Sequence, residues 1–330
     1  MKEILNQLFE HKRLDRNTAR DVLTNISQDQ YNPAQIAAFI SVYLMRSISV
    51  EELDGFRSAL LDLCLKVDME GRETIDLCGT GGDGKNTFNI STLSSFVVAG
   101  AGYMVTKHGN YGVSSACGSS NVLEHLGYKF TNNVDLLKKQ IDTANICFLH
   151  APLFHPALKG VGPIRRQLGV KTFFNMLGPL VNPAQPRQQL VGVFNLKLAR
   201  LYQYLHENLD KNYTIVHSID GYDEVSLTGP VKLIKSHEEL LVTPSYFNMR
   251  TLSQDEIFGG DTVDSAAAIF KKVIKGEGTQ AQTDVVVANS ALAIQCFDFN
   301  KSIESCIEEA KTSILSGKAY ESLSKLIATQ

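Results

Sequence analysis

DLCGTGGDGKNTFNIST, residues 76–92, carries four glycines, at positions 79, 81, 82 and 84, and none in the eight residues after them. The stretch continues the apolar run TIDLC and leads into ISTLSSFVVAGAG, so it reads as a strand, a loop and a helix. Open α/β sheets bind ligands at such strand C-terminal ends. Glycine permits positive φ and close backbone approach, while a helix start offers free amides and the positive end of its dipole. Together these describe an anion cradle. An ordinary tight turn is the plain alternative, and only the surrounding sequence can decide between them.

Two familiar motifs nearly fit. Gly79, Gly81 and Gly84 match GxGxxG, but a dinucleotide site needs an acid at the end of the next strand to hold ribose hydroxyls, and that strand ends in Lys107-His108. No Asp or Glu occurs between Asp83 and Glu124, while Lys85 and Lys107 lie within that span, so it favours a ligand that is itself anionic. The run Gly79–Lys85 also imitates the P-loop pattern GxxxxGK, yet Asn86 stands where a Ser or Thr hydroxyl must bind magnesium.

YMVTKHGNYGVSSACGSSNVLEHLG, residues 103–127, repeats the plan of strand, Gly/Ser/Asn loop and helix. A second set of amides and hydroxyls should therefore line the same sheet edge. One phosphate needs one loop; a ligand with a monophosphate at one end and a pyrophosphate at the other needs both. Phosphoribosyl pyrophosphate is such a ligand.

The rest of the chain agrees with this reading. Residues 2–67 read as helix, with Asn32-Pro33 as an N-cap followed by proline and Ser49 with Glu52 as a capping box. Beyond Arg72, the short apolar runs TIDLCG, GYMVTK, NICFLH, QQLVGVF and YTIVHSID are mostly separated by helical segments. The fold class is α/β: a small all-helical N-terminal domain, 1–68, and a large domain, 69–330, with a mostly parallel central sheet flanked by helices. Segment 152–172 is helical and a candidate to pack back onto the first domain, and 300–330 reads as one amphipathic helix and a tail.

A net charge of −3 and an isoelectric point near 6.3 disfavour nucleic acid as a partner. The six cysteines form no CxxC pair and no framework, which fits a reduced cytoplasm. No apolar stretch is long enough for a membrane span, and the first residues lack a signal core, so neither export nor membrane insertion is expected.

GTGGDGKNTFNIST, KHGNYGVSS, GSSNVLE, RRQLGVKTFFNMLGPLVNPA and GYDEVS resemble, in order and along almost the whole chain, the motif series of the anthranilate phosphoribosyltransferases. The resemblance implies transfer of a phosphoribosyl group to the amine of anthranilate in tryptophan biosynthesis, with release of pyrophosphate, a need for Mg2+, and a homodimer. It places Gly79, Thr80, Gly82, Asp83, Thr87, Asn89, Ser91, Thr92, Lys107 and Ser119 on phosphoribosyl pyrophosphate. It places Gly79, His108, Asn110, His155, Arg165, Gly178 and Pro179 near anthranilate, and Ser91, Asp223 and Glu224 on the metal.

The residue chemistry is compatible with these roles, and each has a plainer alternative. Asn89, Ser91 and Thr92 suit phosphate oxygens at a helix start but also suit simple N-capping. Lys107 ends an apolar strand and would be a surface lysine if no anion met it. Asp223 and Glu224 suit a hard cation or form an acidic turn in solvent. Neighbouring helical residues point about 100° apart, so Arg165 and Arg166 should not both reach one carboxylate. Three positions depart from the family pattern: Tyr111 replaces a common arginine, Ala116 a common lysine and Asn121 a common aspartate.

The mechanism implied has no protein nucleophile. The enzyme's tasks are to hold the amine behind the anomeric carbon, stabilise the departing pyrophosphate and close its two domains against water. A pyrimidine nucleoside phosphorylase of the same fold, a non-enzymatic nucleic-acid-binding relative and an NAD-binding protein are the competing readings.

Overall fold

The computed structural model describes residues 1–112 and 117–330. The chain forms two compact units, one made of 1–67 with 151–183 and the other of 68–150 with 184–330.

The first unit is helical, with Lys2–Phe9, Arg16–Ser27, Pro33–Met45, Val50–Leu63 and, from the returning segment, Val161–Leu168 and Phe174–Leu177. Its helix starts obey local chemistry. Asn32 accepts from the Gln35 amide at 2.9 Å while Gln35 answers at the Asn32 amide, and Ser49 and Glu52 close the same reciprocal box. The returning segment is fastened by aromatic packing: Phe173 stacks on Phe56 at 4.8 Å between centroids and meets Tyr43 edge-on at 5.0 Å. Backbone bonds from Leu65 to the Phe154 carbonyl and from Val67 to that of Pro183 complete the attachment.

The second unit is built on seven strands: β1 (Thr74–Gly79), β2 (Met104–Gly109), β3 (Ile146–His150), β4 (Gln188–Gly192), β5 (Asn212–Ser218), β6 (Val231–Lys235) and β7 (Glu239–Val242). Their order is β3-β2-β1-β4-β5-β6-β7, parallel through β5 and antiparallel after it. The fold class read from the sequence is thus the one observed. The five apolar runs became the five parallel strands; the β6–β7 hairpin went unread, its short strands interrupting Val, Leu and Ile with lysine and glutamate. The C-terminal stretch is two helices, Ile303–Leu315 and Lys318–Ala328, broken at Gly317, whose φ is +76°.

This topology positions the site. From β1 the chain steps to β2 and β3 on one side and later to β4 and β5 on the other, so β1 and β4 flank the point where strand order reverses. Crevices at such points, outside the strand C-termini, hold ligands in α/β sheets. Gly79 and Gly192 end β1 and β4 side by side in register. Helices Ile90–Gly100 and Gln280–Gln295 are buried along most of their length and fix the core behind this edge.

Candidate active site

The glycine run leaves β1 with φ of +63° at Gly81, +77° at Gly82 and +75° at Gly84, conformations that side chains disfavour. Gly79 and Gly192 are needed for space instead. A Cβ on Gly79 would strike the Asp223 carboxylate, and one on Gly192 would strike the Asp223 carbonyl. Asp223 therefore runs past the ends of both strands, where only glycines leave room.

From there Asp223 Oδ2 accepts from the Gly81 amide at 2.7 Å, and Glu224 Oε1 accepts from the Ser91 amide at 2.9 Å. Thr87 Oγ1 lies 3.5 Å from Glu224 Oε2. The expectation of free amides is corrected at one position in the glycine loop and one at the helix start: carboxylates occupy the amides of Gly81 and Ser91. At Ser91 the reason is the same attraction between an anion and a helix N-terminus that motivated the expectation.

Three acids gather here. Burial, then the charge of Asp83, pushes the Asp223 carboxyl up to about 7. Burial and the charge of Asp223 hold Glu224 well above the carboxylate range, and burial raises Asp83 as well. Lys107 opposes them only in part. It is 2% exposed, its Nζ donates to the Leu77 carbonyl at 2.6 Å, and burial lowers its pKa while Asp76, Cys78 and Glu224 pull it back up. It is an interior cation, not a surface lysine.

An acid cluster this desolvated suits a divalent cation. Among the described residues no group of three or more His, Cys, Asp or Glu side chains forms a ready-made metal cage. Magnesium does not require one, because it keeps several waters and binds through one or two carboxylates plus substrate phosphates. The donor set of Asp223 and Glu224 fits that habit.

The two loops are joined directly. Asn89, at the N-cap position of Ile90–Gly100, makes no capping bond; its Nδ2 donates to the Cys117 carbonyl of the second loop at 3.0 Å. Its Oδ1, and the Oγ1 of nine-tenths-buried Thr80, are buried with no partner among the described residues. Thr80 is held by its amide on the Gly192 carbonyl, 2.9 Å away. Thr92 is 1% exposed, while Asp83, Thr87, Ser91 and Gly82 are half-buried.

In the second loop, Ser119 Oγ and the Ser120 amide both donate to the carbonyl of exposed Asn110. The Asn121 Oδ1 accepts from the amides of Gly112 and Gly118 at 2.9 and 3.0 Å, closing the loop without the expected negative charge. Tyr111 packs edge-on against His150 at 4.9 Å and donates to Glu124 at 3.3 Å, replacing a cation with an aromatic anchor. His108 is buried, its amide bonded to Asp76. Ser114, Ser115 and Ala116 lie outside the described residues.

His155, Arg165, Gly178 and Pro179 belong to the first unit, and the other predicted residues to the second. His155 and Pro179 are buried and Gly178 is exposed. Arg165 is half-buried, donating from Nη2 to Asn175 Oδ1 at 3.0 Å, whereas Arg166 is exposed. Sequence reasoning missed Asn175. It also missed the segment 258–260, where Gly259 donates to the Asn86 carbonyl and Gly260 accepts from the Asn86 side chain, tying down the far end of the glycine loop. The glycine pair at 259–260 was the available signal.

A glycine cradle at a sheet switch point, crossed by paired acids, defines the class: residues 71–320 match the glycosyl transferase family, a/b domain, and residues 2–64 its helical bundle domain. The chain is 59% identical over 326 residues to the anthranilate phosphoribosyltransferases of Flavobacterium johnsoniae and Christiangramia forsetii, covering 99% of itself and 98% of each relative. Its fold superposes on the anthranilate phosphoribosyltransferase of Thermus thermophilus with a TM-score of 0.92 at 28% identity, covering 98% of both chains. The Saccharomyces cerevisiae enzyme in complex with PRPP and Mg gives 0.91 at 26% identity, covering 98% of this chain and 96% of that one. The chain belongs to the anthranilate phosphoribosyltransferase family.

Proposed function

We propose that this chain transfers the phosphoribosyl group of phosphoribosyl pyrophosphate to the amine of anthranilate, releasing pyrophosphate, in tryptophan biosynthesis. The observation that carries the reading is the pair of bonds that the Gly81 and Ser91 amides donate to Asp223 and Glu224, which makes acids, glycine loop and helix start one site. Asp223 and Glu224, with Ser91, would hold magnesium. Bound there, the ion would offset charge on the leaving pyrophosphate.

The remaining work falls to the chain. The buried Thr80 hydroxyl is placed to donate to a phosphate oxygen, and the Asn89 Oδ1, an acceptor, suits a ribose hydroxyl. Gly79, Gly82, Asp83, Thr87, Thr92, Lys107 and Ser119 line or brace this donor side. The family resemblance assigns Arg165 to the anthranilate carboxylate, and His108, Asn110, His155, Gly178 and Pro179 to the same substrate. No residue serves as nucleophile, because the neutral aromatic amine attacks the anomeric carbon itself and needs chiefly to be held in line.

The cytoplasm and a homodimer complete the proposal. All six cysteines are free, as a reducing compartment favours, and no helix among the described residues is long and apolar enough to cross a membrane. The test is loss of anthranilate fluorescence on mixing protein, phosphoribosyl pyrophosphate and magnesium. Loss should require the metal and should vanish in Asp223→Asn with Glu224→Gln; an unchanged signal in the intact protein rejects the reading.

A further inference from the structure

Arg165 and Asn175 lie ten residues apart in the returning segment of the first unit. The Arg165 guanidinium is held in two ways: Nη2 donates to Asn175 Oδ1 at 3.0 Å, and Cζ sits 5.3 Å from the centre of the Phe174 ring. The Asn175 oxygen also accepts from the Thr172 amide at 3.4 Å, so it is fixed from a second side. The Thr172 hydroxyl is buried with no partner among the described residues.

What this arginine lacks is an acid. Burial lowers its pKa, and no carboxylate among the described residues raises it back. Desolvated arginines normally sit in ion pairs, since an isolated buried charge is costly. Here the side-chain acceptor is a neutral amide, which orients the planar fork and leaves its charge uncancelled.

We propose that Asn175 is a positioning residue for the acceptor substrate, aiming the Arg165 guanidinium at a carboxylate while leaving its charge intact. The proposal rests on the reading of Arg165 as the anthranilate ligand. It also explains the choice of amide over acid at position 175: an aspartate could hold the fork equally well but would neutralise it.

The test is steady-state kinetics on the full-length protein. Asn175→Ala should raise the KM for anthranilate by about tenfold, as loss of one charged hydrogen bond would, with the KM for phosphoribosyl pyrophosphate held within about twofold. The double variant Arg165→Ala/Asn175→Ala should be no worse than Arg165→Ala alone. Asn175→Asp keeps an acceptor in place, so it should weaken binding of anthranilate but not of the uncharged competitor anthranilamide.

A merely structural role would shift both Michaelis constants and treat the two ligands alike. Additive penalties in the double variant, or an undiminished carboxylate preference in Asn175→Asp, would overturn the proposal. If Arg165→Ala raises the anthranilate KM and Asn175→Ala does not, the inference alone fails. If Arg165→Ala changes nothing, the assignment of Arg165 fails and takes the inference with it.

Discussion

The Asp223 carboxylate occupies the space that a side chain on Gly79 would fill, and the Asp223 carbonyl occupies the corresponding space at Gly192. The two glycines therefore should not respond alike to alanine. At Gly192 the obstacle is backbone, so Gly192→Ala should cost about 3 kcal/mol of stability by overpacking. At Gly79 the obstacle is the tip of a side chain. Gly79→Ala should cost only about 1 kcal/mol but lower kcat/KM by roughly 100-fold, because the displaced acid is the proposed metal ligand. Urea unfolding beside initial rates separates the two; equal stability losses would contradict the geometry.

Asp223 predicts a pH dependence with a definite sign. Its folded pKa, about 7, exceeds the 3.8 of the unfolded chain. Between those values the folded state holds the extra proton, so this group's contribution favours folding below pH 4 and is lost as pH rises toward 7, by a few kcal/mol at most. Magnesium competes with that proton. The rise in melting temperature on adding magnesium should be larger at pH 8 than at pH 5.5; an equal rise at both would remove Asp223 from the metal.

Lys107 is the interior cation facing Asp76 and Glu224. Lys107→Met should lower stability by about 3–5 kcal/mol, because removing one member of a buried charge set strands the others. Adding Glu224→Gln should recover part of that loss. Denaturant midpoints measure both, and a neutral Lys107→Met would show that the buried charge is compensated elsewhere.

The adjacent arginines make a paired test. Arg165 is half-buried and braced by Asn175, while Arg166 is exposed. Arg166→Ala should leave the anthranilate KM within about twofold, and Arg165→Ala should raise it by at least about tenfold. Equal effects would assign the wrong arginine.

Local chemistry made much of this legible in sequence. The glycine loop, the Asn32 N-cap, the Ser49–Glu52 capping box and the five apolar strands each depend on residues a few positions apart, so residue type and spacing suffice. What escaped depends on long-range placement. That Asp223 reaches back 142 residues to Gly81 follows from sheet order, which spacing alone does not encode. Lys107 could be placed at a strand end, but its choice of the Leu77 carbonyl required the neighbouring strand. Asn175 sat inside a quoted motif yet gave no chemical signal until the arginine ten residues earlier was seen against it.

The excursion of 151–183 between β3 and β4 also bears on biogenesis. On the ribosome, the first 67 residues emerge with Phe39, Tyr43 and Phe56 still short of Phe173, the ring that stacks and edges against them. The bundle must wait for more than a hundred further residues before its aromatic centre closes. A nascent chain arrested before that point should present an open greasy face, the kind of surface that chaperones bind.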